Sequence, residues 1–333
     1  MKIGLSYDIK EQATKAEGLP EDAFEEYDSP ETVEALAAAI SSEGHKVLRL
    51  GGGPAFLRNV QLEKPDLVFN IAEGLGNYRS REAQVPSILE MLDIPYSGSD
   101  PLTLTVCLEK ALTKQLVAAA GVATPRWCVI NDVAELESTD WNKFPFPAFT
   151  KPAHEGSSKG IRNASRVDDA GKLKELIRGQ MALYAQPMMV EEFIAGQEVT
   201  VGLLGNAPTR VTGIMHVVPV TPSADFVYSL EVKRNWRQMV RYECPARLAP
   251  SILRRIEESC FKAFKVLGIR DLARMDFRIS ADGTPYFLEV NPLPGLNPQS
   301  GDYVIMGEAM GWSYNALIGA VLNAAIERCK LGS

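Results

Sequence analysis

The stretch from Asp271 to Ser300 constrains this chain more than any other, because it predicts two short strands, a tight turn and a loop punctuated by proline and glycine. Asp282-Gly283 is a strong signal for a two-residue hairpin turn. In the first strand charged residues alternate with apolar ones, so the charged side chains share one face. In the second strand we expect one face to carry Phe287, Glu289 and Asn291, and the other to carry Leu288 and Val290.

The predicted hairpin brings two carboxylates together. Counting back from the turn places Asp276 opposite Glu289 and Arg274 opposite Asn291, with about 4.5–5.5 Å between paired Cβ atoms. Facing carboxylates destabilise a sheet unless a cation neutralises them, and carboxylate and amide oxygens are ligands that Mg²⁺ prefers. The alternative is an amphipathic hairpin whose charged face is only solvated. The constrained loop that follows directly favours the metal site.

Length and charge limit the remaining possibilities. A chain of 333 residues is expected to form two or three domains. The net charge of −7, without a long run of Lys or Arg, argues against nucleic acid or an anionic membrane as a partner. Five scattered cysteines in no metal-ligand spacing are typical of free thiols in a reducing cytoplasm. We see no signal peptide and no apolar run long enough to span a membrane.

The first hundred residues predict a small α/β domain. Strands are expected at 1–7, 45–50 and 66–71, with a short one at 94–97, and residues 8–28 form a loop or irregular helix. Ser29-Pro30 is a typical helix start, and a further helix is predicted at 81–92. Alternating strands and helices indicate a parallel sheet. The glycine-rich turn that begins at Glu73 follows a strand end, where open parallel sheets bind ligands.

The region from 100 to 200 carries lysines, a glycine-serine loop and an acidic group. A helix capped by Asp100 is predicted to run to about Ala120 and to place Lys110 and Lys114 on one face. After a strand at 146–151, the loop with Gly156, Ser157, Ser158 and Gly160 can approach a phosphate closely. It lacks Walker A spacing, and a flexible surface loop is the alternative. Strands are also expected near 188–193 and after Gly196. Glu191, Glu192 and Glu198 either accept hydrogen bonds from a ribose or an amine, or form a solvated edge.

Taken in order, these motifs resemble the ATP-grasp superfamily, and most closely the D-alanine–D-alanine ligase family. The series comprises Lys110, Lys151-Pro with Glu155-Gly-Ser-Ser, Glu191 to Glu198, Arg274-Met-Asp276 and Leu288 to Gly295. The resemblance covers about residues 60–325. It implies an α/β chain with an N-terminal Rossmann-like domain (1–100) and two α+β subdomains (101–190 and 191–333) that clamp ATP.

The resemblance also implies residue roles. Lys110 and Lys151 contact the phosphates under a mobile loop of Glu155, Gly156, Ser157 and Ser158. Backbone at Glu191, Glu192 and Ile194 holds adenine, Glu198 holds the ribose, and Lys233 reaches the γ-phosphate. Asp276, Glu289 and Asn291 bind Mg²⁺ or Mn²⁺. Arg274 and the N–H of Gly295 stabilise an oxyanion, and Ser300 with Gly301 holds the second amino acid. Lys233, Ser157, Arg274 and Gly295 form the catalytic group.

The N-terminal part departs from the family pattern. Ser6 to Glu11 replaces Gly-Gly-x-Ser-x-Glu, Ala72-Glu73-Gly74 replaces Leu-His-Gly, and Arg234 replaces a tyrosine. These changes concern the pocket of the acid-donating substrate, so Glu73 and Arg234 are substrate candidates, with Arg234 suited to an additional carboxylate. We expect an ATP-dependent carboxylate–amine ligase, acting as a homodimer, that joins two amino acids or an amino acid and a small carboxylic acid.

Two alternatives remain at this level. A carboxylase-like or kinase-like protein uses the same clamp with a single substrate, but the Asn-Pro-Leu-Pro-Gly loop argues against it. A non-catalytic nucleotide-binding protein is expected to lack a metal ligand, whereas Asp276, Glu289 and Asn291 are all present.

Overall fold

The computed structural model describes residues 1–13, 18–223 and 225–331. Its N-terminal part comprises β1 (Lys2–Ser6), α1 (Pro30–Ser42), β2 (Lys46–Gly51), α2 (Gly53–Glu63), β3 (Leu67–Asn70) and α3 (Gln84–Met91). The strands pair in parallel, as predicted, and their order is β2-β1-β3. Helix α1 begins as expected, because the Ser29 hydroxyl accepts the N–H of Thr32. The predicted strand at 94–97 is wrong, since it forms only an isolated bridge between Val68 and Tyr96. Helix α2 was not predicted.

The central part holds an antiparallel sheet with helices beside it. It comprises α4 (Pro101–Leu108), α5 (Lys110–Ala119), β4 (Trp127–Ile130), α6 (Val133–Ser138), β5 (Ala148–Pro152), β6 (Arg166–Val167), α7 (Ala170–Tyr184) and β7 (Met188–Glu192), with strand order β4-β7-β5-β6. The prediction of one helix to about Ala120 is wrong. The backbone turns extended at Glu109, which ends α4 and leaves the N–H of Lys110 free to bond Ala153 O at 3.1 Å. The break therefore fixes Lys110 beside the end of β5.

The C-terminal part is built on a larger antiparallel sheet. It comprises β8 (Gln197–Leu204), β9 (Arg210–Pro219), α8 (Leu230–Arg234), α9 (Trp236–Met239), β10 (Val240–Glu243), α10 (Pro250–Leu267), β11 (Leu272–Ile279), β12 (Pro285–Asn291), α11 (Asp302–Ala309) and α12 (Tyr314–Arg328). The strand order is β10-β9-β8-β11-β12. Helix α12 packs on α1, so that Leu317 and Val321 share a core with Leu5 and Ile40 of the first part. Within the described residues, no helix is long and apolar enough to cross a membrane.

The predicted pairing in the β11–β12 hairpin is confirmed: Asp276 lies opposite Glu289, and Arg274 lies opposite Asn291. The predicted two-residue turn is wrong. The N–H of Ser280 bonds Thr284 O at 3.1 Å, which closes a three-residue loop ending in Gly283 with φ +76°. Glycine suits that position because left-handed backbone costs it no strain.

A bulge in the same hairpin restores the predicted register. It lies between Asp276 and Phe277, so Phe277 pairs with Phe287 and Leu288 is the extra residue. Phe287 is consequently buried in the core, whereas Leu288 lines a cavity together with Glu289. The faces predicted for Phe287 and Leu288 are therefore wrong. The loop is one residue longer than predicted, and the bulge adds one residue to the second strand. The two differences compensate each other, so Asp276 and Glu289 pair as predicted.

Asp271 joins the N-terminal and C-terminal parts of the chain, and its loss is expected to destabilise the fold. It is fully buried and accepts the N–H of Gly98 at 2.8 Å, Asn206 Nδ2 at 2.9 Å and Arg328 Nη2 at 2.8 Å. We expect Asp271→Asn to lower the free energy of unfolding by about 3 kcal/mol, since it leaves Arg328 without its counter-charge. Denaturant unfolding measures the change.

A matched control exists for this substitution. Asp93 also has a left-handed backbone, with φ +54° against +65° for Asp271, but its side chain is exposed. We expect Asp93→Asn to change the free energy of unfolding by less than about 0.5 kcal/mol. Equal effects of the two substitutions would show that the Asp271 ion pair does not stabilise the fold.

Candidate active site

Two neighbouring cavities lie between the parts of the chain, and Glu289 lines both. The first, here the sheet cleft, lies between β5 and β7 on one side and β11 and β12 on the other. It brings together most of the predicted nucleotide residues: Lys151, Ser158, Glu191, Glu192, Ile194, Glu198, Lys233, Asp276 and Glu289. The second, here the acidic cavity, is lined by Glu26, Asp28, Glu73, Glu82, Glu155, Gly156, Ser157, Lys110, Arg274, Glu289, Asn291 and Gly295, among others.

Buried lysines form the floor of the sheet cleft. Glu191 lies 2.6 Å from Lys114 Nζ and 2.9 Å from Lys151 Nζ, and all three side chains are buried. Burial lowers the pKa of Lys114 to about 8. Burial also acts against the charge of Lys151, but Glu191 and Glu289 raise its pKa above the ordinary value. The Glu191 carboxylate is thus occupied by lysines, which leaves its backbone for a ligand.

The opposite wall of the sheet cleft carries a second ion pair. Arg278 Nη2 lies 2.9 Å from Glu198, and its guanidinium carbon lies 4.6 Å from the Phe193 ring centroid. Burial raises the pKa of Glu198 despite this partner. Lys233 Nζ lies 5.2 Å from the centroid of Tyr228 and lines the same cleft. The cleft therefore offers an apolar and aromatic wall beside cationic side chains.

The facing carboxylates of the hairpin, Asp276 and Glu289, have surroundings that suit cation binding. Asp276 accepts the Thr200 hydroxyl at 2.6 Å and Arg274 Nη2 at 2.9 Å. Burial opposes ionisation of Glu289, but Lys110 and two further lysines lower its pKa to about 2. Lys110 Nζ is 3.8 Å away. Both carboxylates therefore present oxygen ligands of the kind that Mg²⁺ takes.

Two further observations limit the kind of metal. In the described residues, no cluster of three or more His, Cys, Asp or Glu side chains is close enough to hold a metal ion. Asn291 adds an amide whose Nδ2 is buried without a hydrogen-bond partner. Two carboxylates and one amide suit Mg²⁺ that completes its coordination with substrate phosphates.

The N-terminal part of the chain contacts the glycine-serine loop. These contacts were not predicted from the sequence. Glu26 accepts the N–H of Gly156 at 2.6 Å and Arg81 Nη2 at 2.8 Å. Arg81 also lies 2.9 Å from Glu155, and Lys159 Nζ lies 2.6 Å from the same carboxylate. These groups are buried. The acidic composition of residues 21–28 was the sole sequence signal, because burial of a loop depends on distant contacts.

Three predicted substrate residues lie outside the lining of both cavities. Arg234 lies 3.2 Å from Glu21 and 3.0 Å from Glu25, so its side chain is paired outside both cavities, and its role toward a substrate stays a prediction. Ser300 donates its hydroxyl to Asn297 Oδ1 at 3.0 Å, just before α11, and Gly301 follows it. Glu73, in contrast, lines the acidic cavity.

Glu82 is expected to make the stability of the fold depend on pH. It is 7% exposed, and no hydrogen bond or ion pair to its carboxylate is present in the described part of the chain. Burial, partly offset by Arg81, raises the pKa of Glu82 to about 7, with Glu26 and Glu155 acting in the same direction as burial and Lys110 against it. The folded chain then binds more protons than the unfolded chain between pH 4.5 and 7, so stability falls as pH rises through this window.

We therefore expect Glu82→Gln to raise the free energy of unfolding by about 1–3 kcal/mol at pH 8 and to change it little at pH 4. Denaturant unfolding at both pH values tests this. Glu63→Gln, an exposed substitution on α2, serves as the control. A gain of equal size at both pH values would show that the charge of Glu82 is not the cause.

Comparison with known proteins agrees with this geometry. The family model described as D-ala D-ala ligase C-terminus matches residues 116–323. The D-alanine–D-alanine ligase of Aquifex aeolicus is 34% identical over 273 residues, which cover 82% of this chain and 87% of the relative. The protein y4sG of Sinorhizobium fredii is 31% identical over 311 residues, which cover 89% and 87% of the two chains.

Solved structures share the fold over the whole chain. The D-alanine–D-alanine ligase of Bacillus anthracis complexed with ATP matches with a TM-score of 0.76 over 100% of both chains at 20% identity. The VanG D-Ala:D-Ser ligase of Enterococcus faecalis matches with a TM-score of 0.71 over 97% of this chain and 99% of that one, at 21% identity. The expected ATP-grasp fold is confirmed. The chain belongs to the D-alanine–D-alanine ligase family of the ATP-grasp superfamily.

Proposed function

We propose that this ATP-dependent amino-acid ligase joins two amino acids, or an amino acid and a small carboxylic acid, through an acyl-phosphate intermediate. The observation that carries the proposal is the position of Glu289, which lines both the sheet cleft and the acidic cavity. A nucleotide in the cleft and a carboxylate substrate in the acidic cavity meet at this residue. Family membership supplies the reaction class, and the two adjoining cavities support a two-substrate reaction.

In the sheet cleft, backbone groups at Glu191, Glu192 and Ile194 hold the adenine, and Glu198 holds the ribose. The loop Glu155–Ser158 covers the triphosphate. The support for these roles is that all but three of these residues line one cleft, while Glu155, Gly156 and Ser157 line the adjoining cavity.

Phosphoryl transfer is the first step. A carboxylate oxygen of the first substrate attacks the γ-phosphorus of ATP, and ADP leaves with the electron pair of the broken P–O bond. Lys110, Lys151 and Lys233 offset the negative charge of the phosphates. Asp276, Glu289 and Asn291 would hold Mg²⁺ or Mn²⁺, which neutralises the phosphate oxygens when bound. These side chains position the reactants and stabilise charge, which is most of the catalysis in such transfers.

Amide formation is the second step. The amine nitrogen of the second substrate attacks the acyl carbon, and the resulting oxyanion accepts hydrogen bonds from Arg274 and the N–H of Gly295. Phosphate then leaves and the amine loses a proton to give the amide. Ser157 belongs to the catalytic group together with Lys233, Arg274 and Gly295. Ser300 with Gly301 binds the second amino acid. Both Arg274 and Gly295 line the acidic cavity, which supports their assignment.

The test is ADP release by the purified protein with ATP and Mg²⁺, measured with single amino acids and with pairs, together with the product mass. We expect release that requires a pair and stops when EDTA removes the metal. Release with a single substrate and no condensation product would favour the carboxylase-like or kinase-like alternative. Tight ATP binding without any release would favour a non-catalytic protein. The homodimer, the cytoplasmic location and the division into three domains stay predictions.

A further inference from the structure

The acidic cavity carries more negative charge than its cations neutralise. Six carboxylates line it, against the two cationic side chains of Lys110 and Arg274; the six are Glu26, Asp28, Glu73, Glu82, Glu155 and Glu289. Such an excess inside a largely buried cavity is costly unless a ligand brings positive charge. The six carboxylates differ in whether a cationic side chain already lies beside them.

Three of the six are already accounted for. Glu26 and Glu155 share Arg81, at 2.8 and 2.9 Å, and Lys159, at 3.5 and 2.6 Å. Glu289 lies near Lys110 and belongs to the proposed metal site. Arg274 is directed to Asp276 at 2.9 Å and so neutralises a carboxylate outside this cavity.

The other three form what we name the carboxylate patch: Asp28, Glu73 and Glu82. None of them lies within 4.0 Å of a cationic nitrogen in the part of the chain that is described. Glu82 is more than nine-tenths buried, faces the cavity and has no hydrogen-bond partner there. Burial raises the pKa of Asp28 to about 7, and burial together with the charges of Glu26 and Glu82 raises the pKa of Glu73 well above its ordinary value. A bound cation would reverse these shifts.

The patch does not have the arrangement of a second metal site. Within the described ranges, no three acidic, histidine or cysteine side chains are close enough to share one ion. An organic cation differs, because ammonium or guanidinium groups spaced along a chain can each donate hydrogen bonds to a separate carboxylate. The proposed oxyanion donors Arg274 and Gly295 line the same cavity as the patch. One substrate can therefore contact the patch and these donors together.

We propose that the first substrate, whose carboxylate is phosphorylated, is an amino acid with a second cationic group on its side chain, held by Asp28, Glu73 and Glu82. The inference rests on the proposed ligase function. An α-ammonium group alone would neutralise one carboxylate of the patch, whereas a diamino acid neutralises two. A neutral side chain would leave the buried Glu82 and the partly buried Asp28 and Glu73 with one ammonium group among them, and the cavity would therefore discriminate against it.

The test compares matched pairs of amino acids in the ADP-release assay, each as the D and the L form. Ornithine is compared with norvaline, and 2,4-diaminobutyrate with 2-aminobutyrate; D-alanine is included, and a second amino acid is supplied as acceptor. We expect the cationic member of a pair to be used with kcat/KM about ten- to a hundred-fold higher, as one charge-assisted hydrogen bond provides. Equal or better use of the neutral members would overturn the inference while leaving the ligase function intact. Absence of release with every amino acid, and also with small carboxylic acids in place of the first amino acid, would instead refute the ligase function.

Variants assign the preference to the patch. We expect Glu82→Gln and Glu73→Gln to reduce the preference for the cationic substrate about ten-fold, because kcat/KM falls more, chiefly through KM, for the cationic member of each pair than for its neutral partner. Glu63→Gln is the matched surface control. Thermal unfolding shows whether each variant is folded. A preference that both variants retain in full would place the cation elsewhere and contradict the inference.

Discussion

Replacing Glu289 with glutamine is expected to lower the rate of ADP release about a thousand-fold. Glu289 lies opposite Asp276 and lines both cavities, and lysines keep its pKa near 2, so it is ionised at any assay pH. Glutamine keeps the size of the side chain but removes the charge that, in the proposed function, would hold the metal. A bound metal contributes several kcal/mol of transition-state stabilisation, and each 1.36 kcal/mol is a factor of ten.

The measurement is the rate of ADP release as a function of Mg²⁺ concentration, with nucleotide binding measured separately. We expect the variant to need more Mg²⁺ for half-maximal rate while it still binds ATP. Asp282→Asn is the control, because Asp282 lies in the same hairpin but in its exposed loop. A Glu289→Gln rate within about twofold of the parent, at the same Mg²⁺ requirement, would remove Glu289 from the metal site.

The hairpin shows what the sequence determines locally. The alternation of Arg274, Asp276 and Arg278 with apolar residues placed the charged side chains on one face, and the structure confirms the predicted carboxylate pair. Loop length and the bulge at Leu288 were not predictable, because a bulge depends on how the strand packs against its neighbours rather than on its own pattern. The cross-strand pair was therefore predicted correctly by a count that contained two compensating errors.

Residues 18–28 show the opposite case. No periodicity marks Glu26 or Asp28, yet both line the acidic cavity, and Glu26 holds Gly156 and Arg81 from distant parts of the chain. Such contacts arise only when the first sheet and the central sheet are brought together. The family resemblance did not supply them either, because it covers about residues 60–325 and does not include this segment. A different first-substrate pocket, which the departures indicate, stays a prediction, and the structure pairs Arg234 with Glu21 and Glu25 outside both cavities.

Arg274→Lys is expected to slow the proposed amide-forming step more than the proposed phosphoryl transfer. The Arg274 fork donates to Asp276 through Nε at 3.1 Å and Nη2 at 2.9 Å, and Nη1 lies 3.6 Å from Asp302. Lysine keeps the positive charge beside Asp276 but cannot reproduce the fork. We expect product formation to fall about 10²–10³-fold, the usual cost of losing one oxyanion donor.

The control for this loss is the partial reaction. Exchange of label between ADP and ATP, dependent on the first substrate alone, reports reversible phosphoryl transfer and involves no tetrahedral oxyanion. We expect Arg274→Lys to slow this exchange less than about tenfold, because Asp276 keeps a cationic neighbour. Arg241→Lys, an exposed substitution beside Glu243, controls for general effects of the exchange of side chains. If the exchange slowed as much as product formation, Arg274 would act by positioning the metal ligand Asp276, and the oxyanion would need a different donor.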